Sequence, residues 1–168
     1  MNTLQLSEHA APSPQLATFH EQEVLSFRLG DEEYAIPLRC VREIRSYQAP
    51  TRLAGSHKDL LGVIDLRGEI VPLLDLRRRF ALPAAEFNTF TITIIVHLDG
   101  RPIGVVVDSV NDVVALSPAQ IRAMPPMKGG QDQQHLMAIA CVGERRLVLL
   151  HIESLLSDLL PDSAVALH

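Results

Sequence analysis

An all-β fold of two similar small barrels, with a few short helices, is the architecture this sequence predicts, and three observations predict it. The apolar residues, 47% of the chain, are mainly Val, Ile and Leu in short runs, the pattern of strands in a packed sheet. Tight-turn dipeptides, Gly30-Asp31 and Asp99-Gly100, each join two such runs. The second hairpin also repeats the first at a constant offset of 69 residues. Leu29 matches Leu98, Tyr34 matches Ile103, Ala35 matches Gly104, Val41 matches Val110, Glu43 matches Asp112 and Ile44 matches Val113.

Each element follows in order. Residues 1–20 are rich in Ala, Pro, Ser, Gln and Thr without periodicity and read as a mobile tail. Order is expected from Val24, where "VLSFRLGDEEYAIPL" reads as strand, turn, strand. "SHKDLLG" has a Ser56 cap, Asp59 three residues on and Gly62 as terminator, which predicts a short helix. "LLGVIDLRGEIVPLLDLRRRF" predicts a hairpin turning at Arg67-Gly68 and then a helical turn, with Gly68 supplying positive φ. "ITIIVHLDGRPIGVVVDSV" is the repeated hairpin. "SPAQIRAM" predicts a second helix capped by Ser117, with Pro118 at its first position and Gln120 closing a capping box. Residues 128–134 are Gly/Gln-rich and read as a surface loop that carries most of the extra length of the second half. "RLVLLHI" then matches "IVPLLDL" at an offset of 76, and "ESLLSDLL" repeats the helical pattern. A single domain is therefore expected over 21–163, made of barrels at approximately 21–88 and 89–160, with a C-terminal tail at 161–168.

Several functions are excluded by the same residues. A net charge of −5 opposes a small-barrel nucleic-acid binder, because such binding is driven by phosphate neutralisation, and the 4% aromatic content leaves few bases to stack. No apolar run reaches the roughly 20 residues that span a bilayer, and the start lacks a signal-peptide pattern, so a cytoplasmic protein with reduced Cys40 and Cys141 is expected. Asp65 and Asp75 are the only carboxylate pair worth weighing for acid–base catalysis. Each precedes Leu-Arg in a strand context, and no His, Ser or Cys partner recurs beside them. The histidines show no metal-ligand spacing; His97 and His151 fall inside apolar strands and read as structural. No phosphate-binding or hydrolase motif is present, so neither enzyme activity nor a cofactor is expected.

A surface argument remains. "GVVVDSVNDVV" has more consecutive Val than a half-exposed strand requires, so one face must be covered by the other barrel or by a partner. Arg67 projects from its turn beside Asp65 and Glu69, as either a recognition element or an ordinary solvated charge.

The stretch at 60–80 resembles the signature of the CheW family of bacterial chemotaxis adaptors, close to GVxNLRGxIVPxxDLRxRF. "SFRLGDEEYAIPLRCVREIR", "VVVDSVNDVVALSPAQIR" and "RLVLLHIESLL" are similar to CheW segments in the same order, and the likeness spans about residues 22–160. It implies two intertwined five-stranded SH3-like barrels. It also implies an adaptor joining the cytoplasmic tips of methyl-accepting receptors to the regulatory domain of the histidine kinase CheA, in flagellar chemotaxis or in a non-flagellar system for twitching or surface sensing. By position, the resemblance implies receptor-side roles for Val41, Glu43, Arg67, Gly68, Gly104, Val110 and Val113, and kinase-side roles for Arg122 and Met127. Asp65 stands where the family pattern has Asn, an extra negative charge that either tethers Arg67 or favours a different receptor.

Overall fold

The computed structural model describes residues 22–83, 86–125 and 135–157. The hairpin β1 (Gln22–Leu29) and β2 (Glu32–Pro37) leads through a 3-10 turn, Leu38–Cys40, to β3 (Val41–Ser46). The hairpin β4 (Leu60–Leu66) and β5 (Glu69–Asp75) ends in the four-residue helix α1 (Leu76–Arg79). The pattern then recurs as β6 (Ile92–Leu98), β7 (Arg101–Val107) and β8 (Ser109–Leu116), followed by a 3-10 turn at Pro118–Gln120 and the short β9 (Ile121–Ala123). The hairpin β10 (Leu136–Val142) and β11 (Arg145–Leu150) and the helix α2 (Ile152–Ser157) complete it.

The duplication read from the sequence is reproduced pair by pair. Leu25 opposes Ile36 as Ile94 opposes Val105. Ala35 pairs in parallel with Leu149 as Gly104 does with Leu73. Even the single bridge Thr51–Val63 has a counterpart, Arg122–Ile139 in the β9–β10 ladder.

The barrels do not coincide with the halves, however. One sheet runs β8-β1-β2-β11-β10-β9 and the other β3-β6-β7-β5-β4, so each half lends its first hairpin to the other half's sheet. The boundary expected near residue 88 is a boundary in sequence but not between sheets. In the six-membered sheet the two edges, β8 and β9, are successive parts of one bent stretch, which makes it a five-stranded barrel closed on itself. The other sheet closes through the chain beyond β3, where Thr51 bridges Val63 on β4. Gly62 makes that closure possible: at φ 144°, a Cβ built there would lie 2.1 Å from the Thr51 carbonyl oxygen.

Alternation along the strands explains the burial. On one face of the six-stranded sheet Val24, Ala35, Leu116, Leu147 and Leu149 form one core, and on the other sheet Ile64, Val71, Leu73, Ile95 and Val106 form a second. The opposite faces meet in a larger shared core that includes Leu25, Phe27, Ile36, Ile94, Val105, Val107 and Leu150. The Val run of β7 is buried on both faces, with Val106 turned to its own barrel and Val105 and Val107 to the other. At roughly 1.5–3 kcal/mol for each fully buried side chain, this shared layer makes the exchanged barrels one cooperative unit.

Two predicted helices give way to strand pairing. The Ser117/Gln120 capping box forms, but Ile121–Ala123 pairs with β10 after a single 3-10 turn. In "SHKDLLG" only a turn survives before β4 begins at Leu60. The helical patterns after β5 and β11 do form, the second described through Ser157, and each is capped by the residue at or just past the end of its strand. The Asp75 carboxylate accepts from the Arg77 N–H at 3.0 Å, and the His151 Nδ1 accepts from the Ser154 N–H at 3.1 Å. His97, by contrast, faces solvent. Cys40 and Cys141 are free thiols.

Candidate interaction surface

The two edge strands carry most of the receptor-side residues. Val41 opens β3 and Val110 lies near the start of β8, and both pack on the shared core. From there the two strands run outward to matching exposed apolar residues, Ile44 at 45% and Val113 at 46% exposure. One step earlier lie their acidic counterparts, Glu43 and Asp112, and each holds an arginine.

On β3, Glu43 reaches across to the β4–β5 turn and accepts from the Arg67 Nη2 at 2.6 Å, while its other oxygen takes Arg45 at 3.0 Å. Arg42 pairs with Glu69 at 3.1 Å along the same seam. Since β3 and β4 are opposite edges of their sheet, these contacts bring the edges together and set Arg67 beside β3. The Arg67 guanidinium, with Arg45 second, holds the Glu43 carboxyl below the usual carboxylate range.

The turn itself is built for this. Arg67 (φ 53°) and Gly68 (φ 88°) are both left-handed, as the two-residue turn between Leu66 and Glu69 demands. Asp65 closes it by accepting from the Gly68 N–H at 2.7 Å. Asp65 therefore does not tether Arg67; the carboxylate that does is Glu43. Asp75 is likewise occupied structurally, by the helix cap and by the buried Arg77 at 3.3 Å.

On β8, Asp112 accepts from Ser26 Oγ at 2.6 Å and from Arg145 at 2.9 Å, and Arg145 also pairs with Glu33. Arg145 holds both carboxyls below their ordinary values.

Gly104 is not on this surface. It is buried in β7, where a Cβ would lie 2.3 Å from Leu73 Cδ2 and 2.9 Å from Thr93 Cγ2. There the missing side chain lets β7 sit against its own core. Arg122 is exposed on β9, its guanidinium donating to the Ala119 carbonyl at 2.8 Å. Met127 lies outside the described residues, as do the tails expected at 1–20 and 161–168. Two exposed apolar residues beside the site were missed from sequence, Ile44 and Ile70, the latter 60% exposed just past the turn. The signal for Ile44 was its match to Val113 in the repeat; Ile70 follows a turn whose exposure no periodicity announces.

Among the described residues no group of His, Cys, Asp or Glu is arranged to hold a metal, and no helix is long and apolar enough to cross a membrane. A CheW-like domain model matches residues 23–160. The chain is 42% identical over 137 residues to a chemotaxis protein CheW of Klebsiella aerogenes, covering 82% of each chain. It is 36% identical over 104 residues to a chemotaxis protein CheW of Bacillus subtilis, covering 62% of this chain and 67% of that one. Among solved structures, the scaffolding protein TtCheW of Thermoanaerobacter tengcongensis superposes with a TM-score of 0.73 at 25% identity, covering 78% of this chain and 89% of that one. The exchanged barrels, the Arg67-Gly68 turn and these likenesses together place the chain in the CheW-like domain family.

Proposed function

We propose that the chain is a chemotaxis adaptor that couples methyl-accepting receptors to the histidine kinase CheA and performs no chemistry of its own. The observation that carries the receptor side is the Arg67–Glu43 pair, held at a strained turn beside exposed Ile44 and next to the strand that starts on the shared core. Apolar residues at the strand edges take up a receptor helix, while Arg67 and Glu43 fix its register. Val110 and Val113 extend that surface on β8, Gly68 shapes the turn, and Gly104 acts through packing. Arg122, with Met127 beyond it, belongs to the kinase side. Binding both partners at once raises their effective concentration for each other. Signal passes when one receptor state binds the adaptor–kinase unit more tightly than another.

The test is autophosphorylation of CheA in receptor-containing membranes, with and without this chain. A large rise that needs all three components, and falls with Arg67→Glu in a folded variant, supports the reading. Undiminished activation by that variant removes Arg67 from the site, and no activation by the intact chain removes the coupling role.

A further inference from the structure

The geometry points to a second site, independent of the coupling surface: a groove between the loop at 52–58 and α1 that binds a phosphate-bearing small molecule. The groove holds about 200 Å³ and is lined by Arg52, Ser56, His57, Lys58 and Arg78 over Leu61. Three cationic side chains, Arg52, Lys58 and Arg78, gather there with His57 in a protein of net charge −5. No carboxylate is among the lining residues.

The gathering is imposed by the fold. Asp59, only 3% exposed, anchors the loop from behind: its carbonyl accepts from the Asp75 N–H at 3.0 Å and its carboxylate meets Arg79 at 3.4 Å. Arg78 donates to the Lys58 carbonyl at 3.4 Å, which ties loop to helix and sets both cations on one wall. Asp59 also donates its N–H to His57 Nδ1 at 3.1 Å, so the neutral ring carries its hydrogen on Nε2, leaving a donor there.

Arg42, Arg45, Arg67, Arg77 and Arg79 each have a carboxylate within 3.4 Å. Among the described residues Arg52 and Lys58 have none, and those that Arg78 and His57 reach, Asp75 and Asp59, each lie at 3.7 Å. Arg52 and Lys58, held beside Arg78 with no carboxylate of their own, repel, and a dianion relieves that repulsion through charge-assisted hydrogen bonds. The groove has room for a phosphate ester head. The acidic remainder of the surface opposes nucleic acid.

Titration of the intact chain with inorganic phosphate and with pyrophosphate, at ionic strength held constant with chloride and followed by amide NMR, tests this. Saturable shifts are expected at residues 52–58 and 78, tighter for pyrophosphate, with affinity falling about tenfold or more in Lys58→Glu. Arg146→Glu, exposed on β11, is the control and is expected to bind as the wild type does. Shifts that never saturate, or equal affinity in Lys58→Glu with an unchanged melting temperature, overturn the site. Binding of an acidic peptide without any response to phosphate overturns it too.

Discussion

Arg67 occupies a backbone conformation that disfavours it. At φ 53° an ordinary L-residue costs roughly 1–2 kcal/mol, and Asn or Gly is the usual occupant of that turn position. The solvent-screened ion pair with Glu43 offsets little of that cost. A residue kept where it does not favour folding is kept for something else. Arg67→Asn is therefore expected to leave the urea midpoint unchanged or to raise it slightly, while receptor-dependent kinase activation falls at least tenfold. A large drop in stability without loss of activation would reverse that assignment. The sequence makes the turn legible through Gly68 and Asp65, but it does not announce that Arg67 shares the left-handed conformation. Nor does it show that the partner of Arg67 is Glu43, 24 residues away, since cross-strand ion pairs depend on which edges the fold brings together.

Element ends were read unevenly, for a physical reason. α1 and α2 begin where the strand end brings a cap into place, Asp75 at the end of β5 and His151 just past β11. The helices expected at "SHKDLLG" and "SPAQIRAM" carry good local signals, but a strand partner and a buried face for Leu61 and Ile121 outweigh the small propensity of one turn. The C-terminus of α1 shows the same tension in milder form. The Leu82 N–H donates to the Arg77 carbonyl at 2.9 Å and the Ala81 N–H to Arg78 at 3.0 Å, a Schellman motif. Its left-handed position is filled by Ala81 at φ 55° instead of glycine. Ala81→Gly is expected to stabilise the protein by about 0.5–1 kcal/mol, read as a higher urea midpoint with an unchanged slope. A lower midpoint would mean that the Ala81 methyl contributes packing that the strain argument omits.

At the scale of the molecule, the ion pairs stitch strands that the chain supplies from both halves. Arg145 on β11 holds Glu33 on β2 and Asp112 on β8, while Arg67 holds Glu43 across its barrel. All three carboxyls lie below their ordinary values of 4.5 or 3.8. Because these groups bind protons more weakly when folded, their contribution is fully present above those values and is lost as pH falls through the lower folded ones. Urea midpoints are expected to be flat from pH 7 to about 5 and to decline below about 4.5, with a shallower decline in Glu33→Gln. Equal slopes in the two proteins would show that Arg145 favours Glu33 no more in the folded chain than in the unfolded one.

The exchange of hairpins decides what the smallest folding unit is. The offsets of 69 and 76 residues identify equivalent strands, but equivalence is equally compatible with two separate barrels, because a repeat says which segments are alike and not which of them pair. Only the pairing distinguishes the two, and here β1 and β2 find β8 and β11 while β6 and β7 find β3 and β5. A fragment ending at residue 88 keeps β3, β4 and β5 but loses the two central strands between them, and its β1–β2 hairpin loses both neighbours. An isolated hairpin is marginal in water, and half of the shared core is missing as well. Neither fragment, 1–88 or 89–168, is expected to give a dispersed amide spectrum or a cooperative melt alone, whereas an equimolar mixture is expected to recover both. A cooperative transition in either fragment by itself would mean that the barrels can close within each half, and that the exchanged form is one of two accessible pairings.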